Sequence, residues 1–131
     1  MPSYSKRSKE RLETCDARLQ RLFNEVIKEW DCTILCGHRG KEEQDEAFRQ
    51  HRSKVQWPNG KHNSLPSRAV DVMPCPIDWH DIARLEQFAN FVIRKADELG
   101  IRVRWGGDWN QNGTSRDERF FDGPHFELIG D

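Results

Sequence analysis

The sequence predicts an α+β fold, in which helices pack on one side of a small and mainly antiparallel sheet. Three observations favour this class. Apolar residues recur every three or four positions in two long segments, which is the spacing of an amphipathic helix. Short runs of β-prone or alternating residues lie between and after these segments. Glycine-containing returns near Gly106 and Gly123 are typical of strands that reverse direction.

The first part of the chain predicts two helices around one strand. Residues 33–36 are a β-prone run that ends at Gly37, and a charged stretch at residues 41–52 predicts a mostly polar helix. Ahead of them, a single helix is predicted for about residues 8–30. Its apolar positions line up on one face: Leu12, Leu19, Leu22, Phe23, Val26, Ile27 and Trp30.

Residues 55–67 then interrupt the regular structure. They carry a Pro-Asn-Gly turn and a second proline, so this segment is predicted to be a loop, and His62 lies on it. Residues 69–73 alternate in the manner of a strand. Asp71 is therefore expected to point away from the two valines that flank it.

The remaining chain predicts a long helix and two more strands. Asp78 is predicted to cap the N-terminus of the helix, and Gly100 follows its last turn. Residues 101–105 alternate as a strand, and residues 126–129 are expected to form a final short one. Between these strands a polar loop is predicted, with Asn110, Asn112, Gly113 and Ser115.

Length and composition limit the function classes. The 131 residues fit one domain, and neither a repeat nor a linker divides residues 1–131, so a single catalytic domain without a separate cell-wall-binding domain is expected. Lys and Arg total 21 against 22 for Asp and Glu, so no net field attracts nucleic acid. Neither a secretion signal nor an apolar run long enough for a membrane span is present, which predicts a soluble cytosolic protein.

The four cysteines have two interpretations. In a cytosolic chain Cys15, Cys32, Cys36 and Cys75 are expected to be free thiols. The alternative is a second metal site that uses two of them, Cys32 and Cys36, together with His38. This cluster lacks a matching second pair of ligands nearby, so the free thiols are favoured.

Two histidines and two aspartates have the residue types of a catalytic metal site. A turn in the loop can bring His62 to Asp71, and His125 then arrives from the final strand. Two imidazoles and one carboxylate are a common set for a hydrolytic Zn²⁺ whose fourth position stays open to water. Asp122, three residues before His125, remains to accept the water's proton and to pass it to the leaving amine. Asp71 carries the most weight, because aspartate is rare in strands and costly to bury without a partner.

Other residues near these positions have two interpretations each. Glu127 shares a strand face with His125, so it either orients that ring or contacts the substrate. Arg39 follows the first strand and is a candidate catalytic residue that stabilises an oxyanion or holds a substrate carboxylate; the alternative is a solvated surface role. Trp105 and Trp109 either form a wall of the cleft or pack on the core.

At these positions the chain resembles the zinc peptidase family of D-Ala-D-Ala carboxypeptidases and phage L-alanyl-D-glutamate endopeptidases, whose fold is shared with the hedgehog signalling domain. The segments that carry the resemblance are residues 62–71, 104–109 and 122–127. The chain departs from the commoner family pattern in having Gly60 two positions before the first histidine and a spacing of nine rather than seven positions from that histidine to the aspartate. The longer spacing resembles a phage-lysin form of the loop.

The resemblance implies the roles of five residues and a substrate. It implies that the zinc ligands are His62, Asp71 and His125, that Asp122 is the catalytic base, and that Arg39 binds the substrate or the transition state. The favoured function is a phage endolysin that stays in the host cytoplasm until lysis and then hydrolyses the L-Ala to D-Glu amide of the peptidoglycan peptide stem. It is expected to act as a monomer and without membrane insertion.

Two other functions stay open on the sequence alone. One is a D-Ala-D-Ala carboxypeptidase or dipeptidase of cell-wall peptides, which the same family includes. The other is a non-catalytic, zinc-stabilised binding module, which the hedgehog relation permits. An intact Asp122 beside His125 disfavours the second alternative.

Overall fold

The computed structural model describes residues 2–109, 111 and 121–130. Within them the helices contact one four-stranded sheet, so the predicted α+β class is confirmed. In chain order the elements are α1 (Lys6–Leu12), α2 (Ala17–Val26), β1 (Cys32–Cys36), α3 (Lys41–Arg49), a single 3-10 turn (Lys61–Asn63), β2 (Ala69–Pro74), α4 (Ile82–Leu99), β3 (Val103–Trp105) and β4 (His125–Leu128).

The sheet is antiparallel and has the strand order β1-β2-β4-β3. Between its two central strands the register pairs Asp71 with His125 and Val70 with Phe126. Successive side chains of a strand point to opposite faces, so these two pairs lie on opposite sides of the sheet. One face therefore carries the apolar core, and the other carries the polar pair.

Helices α2 and α4 cover the apolar face. Phe126 of β4 packs edge to face against Phe23 of α2 and Phe88 of α4, with ring centroids 5.6 and 6.2 Å apart. All three rings are buried. Edge-to-face aromatic pairs add roughly 0.5–1.5 kcal/mol beyond the area they bury. This cluster fixes β4 against the helices, and it thereby fixes the position of His125 on the other face.

The prediction of one helix over residues 8–30 is wrong, because the chain forms α1 and α2 with a break between them. Asp16 caps α2 by accepting a hydrogen bond from the Arg18 amide at 2.9 Å. The Asp16 amide itself donates to the Ser67 carbonyl at 2.8 Å, a contact outside any helix. The apolar periodicity continues through the break, since both helices face the same core. A local capping residue and a distant loop therefore override the pattern.

The long helix also begins later than the sequence predicts. Asp81, not Asp78, is its N-cap, and its carboxylate accepts a hydrogen bond from the Arg84 amide at 3.1 Å. Asp78 instead accepts from the His80 amide at 2.9 Å, in a turn just before the helix. Gly100 ends the helix with φ 72°, in the left-handed region that favours glycine, as predicted.

The other boundaries shift by a few residues. Helix α3 ends at Arg49, β3 begins at Val103, and β4 begins one residue earlier than predicted, at His125. The predicted polar loop, with Asn110, Asn112, Gly113 and Ser115, lies outside the described residues. Among the helices of the described chain, none is long and apolar enough to cross a membrane.

Candidate active site

Three side chains that the sequence singles out meet on the polar face of the sheet. The His62 Nε2 atom lies 3.2 Å from Asp71 Oδ1 and 3.3 Å from His125 Nδ1, and that Nδ1 atom lies 3.5 Å from Asp71 Oδ1. These donor atoms all lie within 4.8 Å of one another. We call His62, Asp71 and His125 the triad. Such proximity is what a shared metal ion requires.

The sheet and one short turn bring the triad together. Asp71 and His125 are register partners on adjacent strands, so their side chains lie side by side. His62 reaches them from the 3-10 turn, whose position is fixed by hydrogen bonds on both sides. The His62 carbonyl accepts from the Arg39 amide at 2.7 Å, and the buried Asn63 amide group donates to the Arg39 carbonyl at 3.0 Å.

The outer hydrogen bonds of the two imidazoles set their tautomers. His62 Nδ1 lies 2.7 Å from the Gly37 carbonyl, and His125 Nε2 lies 2.8 Å from Glu127 Oε1. A carbonyl or carboxylate oxygen only accepts, so in each neutral ring this outer nitrogen carries the hydrogen. The inner nitrogens then turn their lone pairs toward each other and toward the Asp71 carboxylate. This arrangement needs a cation between them, and the donor set fits one.

The pKa values of the triad residues also indicate that the site requires a positive charge. Burial by itself lowers the pKa of His62, but the Asp71 carboxylate and the Cys36 side chain together outweigh burial and raise it to about 10. The pKa of His125 is also raised, because hydrogen bonds to Asp71 and Glu127 outweigh its burial. Burial acts to raise the pKa of Asp71, yet the two histidines hold it well below its usual range. Without a metal ion, protons supply the positive charge that this carboxylate requires.

Glu127 bonds the ring of His125, which supports the orienting role, the first of the two roles that the sequence left open. Its carboxylate also accepts from Lys61 Nζ at 3.0 Å and from an Arg104 guanidinium nitrogen at 2.7 Å. Burial acts to raise the pKa of Glu127, but the hydrogen bonds from His125 and Arg104 lower it to about 2. The carboxylate is therefore ionised at neutral pH. The sequence pattern did not indicate the parts that Lys61 and Arg104 play.

Asp122 lies beside the triad and outside it. Its Oδ2 atom is 3.8 Å from His125 Nδ1. Its backbone is held by hydrogen bonds to the Gly106 carbonyl, at 2.9 Å, and from the His125 amide, at 3.1 Å. A Cβ at Gly106 would lie 2.4 Å from the Asp122 carbonyl oxygen, so only glycine fits there. Burial raises the pKa of Asp122 to about 6, and the nearby Asp71 carboxylate adds to the rise.

Arg39 points into the site and is not a solvated surface residue. Its guanidinium donates to Asp71 Oδ2 at 3.4 Å and to the Gln44 side-chain oxygen at 3.1 Å. Gln44 is 1% exposed and also accepts a hydrogen bond from Asn63, so it links helix α3 to the turn that carries His62. Gln44 is a site residue that the sequence analysis missed. A glutamine among the other polar residues of this helix gives no sequence signal of such a role.

The two tryptophans have different roles: one packs in the core, and the other lines the cleft. Trp105 is buried in the core, and its ring nitrogen donates to the Gly123 carbonyl at 2.7 Å. The Trp109 ring lies against His125, with centroids 5.3 Å apart, and the Arg104 guanidinium stacks over it at 5.4 Å. Trp109 therefore forms part of the cleft wall.

Two cavities meet at the triad. One has a volume of about 790 Å³ and contains Asp71 in its wall, and the other has a volume of about 430 Å³ and contains both histidines. An extended ligand that occupied both cavities would cross the triad. Three residues line both cavities: Arg39, Arg52 and Asp122.

The cysteines do not build a second metal site in the described part of the chain. All four are free, and Cys15 and Cys32 are buried. Burial raises the pKa of each of these two thiols to about 12. The one group of three or more possible ligands among the described residues is the triad. The alternative of Cys32, Cys36 and His38 is therefore not supported.

A cleft that crosses a His-Asp-His group with an aspartate beside it defines a candidate metal-dependent hydrolase site. Comparison with known proteins gives the family. A family model described as phage L-alanyl-D-glutamate peptidase matches residues 2–129, and the chain belongs to this family. The prediction of a peptidase is thereby confirmed.

Two relatives agree with this membership. The chain is 28% identical over 134 residues to the L-alanyl-D-glutamate peptidase of Escherichia phage T5, an alignment that covers 96% of this chain and 97% of that protein. It is also similar to the crystal structure of the Serratia marcescens L-Ala D-Glu endopeptidase ChiX. That match has a TM-score of 0.74 and 29% identity, and it covers 97% of this chain and 90% of the other.

Proposed function

We propose that the chain is a zinc-dependent phage endolysin that hydrolyses the L-alanyl–D-glutamate amide in the peptide stem of bacterial peptidoglycan. The observation that carries this proposal is the triad, whose inner nitrogens and carboxylate face one point beside Asp122. The family and both relatives supply the substrate, since each is named for this amide bond.

The triad has the donor set that suits zinc. His62 Nε2, Asp71 and His125 Nδ1 would hold the ion, and the hydrogen bonds to the Gly37 carbonyl and to Glu127 fix both rings. A zinc ion bound there supplies a Lewis acid that polarises the substrate carbonyl and acidifies water.

Asp122 is the proposed general base and acid. It takes a proton from the attacking water and later gives that proton to the nitrogen of the leaving D-glutamyl group. Its burial raises its pKa toward neutrality, which helps it to release the proton again. A cation at the triad favours the ionised carboxylate, so Asp122 begins the reaction able to accept a proton.

Arg39 is the proposed second catalytic residue. Its guanidinium lines both cavities and lies beside Asp71, within reach of a carbonyl oxygen placed over the triad. Donors aimed at the place where negative charge develops stabilise the transition state more than the substrate. The hydrogen bond to the buried Gln44 fixes this donor in advance.

A phage setting is part of this proposal, and a similar peptidase from a phage supports it. The enzyme accumulates in the cytoplasm of the infected bacterium, reaches peptidoglycan when the inner membrane is opened, and works as a monomer that does not insert into the membrane. The presence of a cavity on each side of the triad supports cleavage within a chain over removal of a terminal residue.

Mass analysis of purified sacculi, digested with the zinc-loaded protein, tests this proposal. We expect a new free L-alanyl carboxyl group and a new D-glutamyl amino group. Release of terminal D-alanine instead would make the enzyme a carboxypeptidase. Absence of any cleavage by fully loaded protein would favour a binding module and contradict the proposal.

A further inference from the structure

The two cavities that meet at the triad carry opposite charge. Among the described residues, the smaller one is lined by five cationic and two anionic side chains, and the larger one by two cationic and five anionic ones. We call them the basic cavity and the acidic cavity. The cations of the basic cavity are Arg39, Arg52, Lys54, Lys61 and Arg104. The anions of the acidic cavity are Glu42, Glu43, Glu46, Asp71 and Asp122.

Residues 52–55, which carry Arg52 and Lys54, are held in a fixed place relative to the triad. The buried Gln44 donates from its side-chain amide to Ser53 Oγ at 3.0 Å and to the Val55 carbonyl. The Arg52 amide donates to the Ala47 carbonyl of α3 at 2.8 Å. Because Gln44 also bonds Arg39 and the turn that carries His62, one buried side chain ties residues 52–55 to the site.

The cations of the basic cavity are not equally available to a ligand. Lys61 and Arg104 both bond Glu127, which neutralises part of their charge. Arg52 donates through Nε to the neutral Gln50 side chain at 2.9 Å, so its positive charge is not cancelled by that bond. Both Arg52 and Lys54 are exposed on the cavity wall. Arg52 is therefore the cation best placed to meet an anion, and Lys54 lies exposed two residues along the chain on the same cavity wall.

The acidic cavity also differs from the basic cavity in that part of its wall is apolar. The side chains of Trp79, Ile82 and Phe121 are 52%, 41% and 36% exposed and line it. Large apolar side chains left exposed along a cleft are typical of a binding surface. This wall suits an uncharged segment, and its carboxylates repel an anionic one.

The proposed substrate has the same asymmetry about its scissile bond. The L-alanyl side carries a methyl group and no charge, whereas the D-glutamyl side carries a carboxylate close to the leaving nitrogen. We propose that the basic cavity binds the D-glutamyl carboxylate through Arg52 and Lys54, and that the acidic cavity receives the L-alanyl side. Charge therefore fixes the direction in which the peptide crosses the triad. This inference rests on the proposed function and adds the residues that determine its specificity.

Two synthetic stem peptides test the inference. One begins with N-acetyl-L-Ala-D-Glu, and the other is identical except that the free D-glutamyl carboxylate is a carboxamide. With the zinc-loaded protein of residues 1–131, we expect kcat/KM to be about tenfold or more higher for the acid, the usual gain from a charge-assisted hydrogen bond. The double variant Arg52→Gln/Lys54→Gln should reduce this ratio to within about twofold, through a higher KM for the acid.

The matched control removes the same charges elsewhere. Arg21→Gln/Lys28→Gln changes two exposed residues around α2, on the other side of the sheet, and should keep the wild-type ratio. Zinc content and circular dichroism report folding, and the single variant Lys54→Gln should give an intermediate ratio. Equal kcat/KM for both peptides, or a double variant with the wild-type ratio, would overturn the inference while the proposed function stands. If neither peptide is cut, the proposed function fails first.

Discussion

The two faces of strand β4 are buried to a similar degree by opposite kinds of neighbours. Phe126 and Leu128 are enclosed among apolar side chains, whereas His125 and Glu127, 8% and 5% exposed, lie among charged ones. Buried apolar area stabilises a fold by roughly 25 cal/mol per Å², but a buried charge destabilises it unless it is paired. One face of the strand therefore stabilises the domain, and the other is arranged for a cation to complete it.

Removing the central ring of the apolar face should have the largest effect on stability. Phe126→Ala leaves a cavity between Phe23 and Phe88, and we expect the free energy of unfolding to fall by about 3–5 kcal/mol. Urea unfolding followed by circular dichroism measures it. Phe48→Ala, at a ring that is 36% exposed, is the control and should cost less than about 1 kcal/mol. If Phe126→Ala also costs less than about 1 kcal/mol, the apolar face is not the main source of stability.

The two faces also differ in how far the sequence predicted them. The apolar periodicity indicated the long helix and the facing core, and it failed at the break before Asp16 because a cap and a contact with Ser67 carry no apolar signal. Residue chemistry singled out the three residues of the triad. It could not reveal Gln44 or Lys61, because their partners are distant in the chain and ordinary polar residues give no pattern.

Zinc binding at the polar face should stabilise the fold by an amount similar to, or slightly smaller than, the loss expected for Phe126→Ala. At free zinc concentrations 100 to 1,000 times Kd, binding to the folded state alone stabilises it by about 3–4 kcal/mol. Thermal unfolding with and without a chelator measures the shift, and His125→Ala should abolish it. His80→Ala, at an exposed residue outside the triad, should keep the full shift. A zinc-dependent shift that survives in His125→Ala would place the ion elsewhere.

A smaller effect is expected from the residue that supports His125. Glu127→Gln keeps a hydrogen-bond acceptor for the ring but removes the charge that Lys61 and Arg104 share. We expect zinc affinity to fall by about 10- to 100-fold. Isothermal titration calorimetry measures this, with Glu98→Gln on the exposed side of α4 as the control. Unchanged affinity would show that orientation of His125 does not depend on this carboxylate.

The last effect is a pH dependence of stability that is spread over several pH units. In metal-free protein the folded-state pKa of His62 is about 10, above its ordinary value of 6.5. Protonation of this ring therefore stabilises the fold fully below pH 6.5, and that contribution is lost as the pH rises through 10. The free energy of unfolding of the metal-free protein should fall across this window, and the zinc-induced increment should grow, since fewer protons compete.

Denaturant unfolding at several pH values checks this dependence. His62→Gln should flatten the decline in the metal-free protein. A wild-type stability that rises over the same window would contradict the assignment of protons to the triad in the absence of zinc.

The most direct test of the account is the turnover number of zinc-saturated Asp122→Asn on the L-Ala-D-Glu stem peptide, with bound zinc counted in the same sample. We expect one zinc ion per chain, as in the wild type, because Asp122 is not a member of the triad. Turnover should fall by at least about 100-fold, because the carboxamide cannot accept the water's proton. A variant that turns over at nearly the wild-type rate, or that loses its zinc, would contradict the division between a metal-binding triad and a separate base.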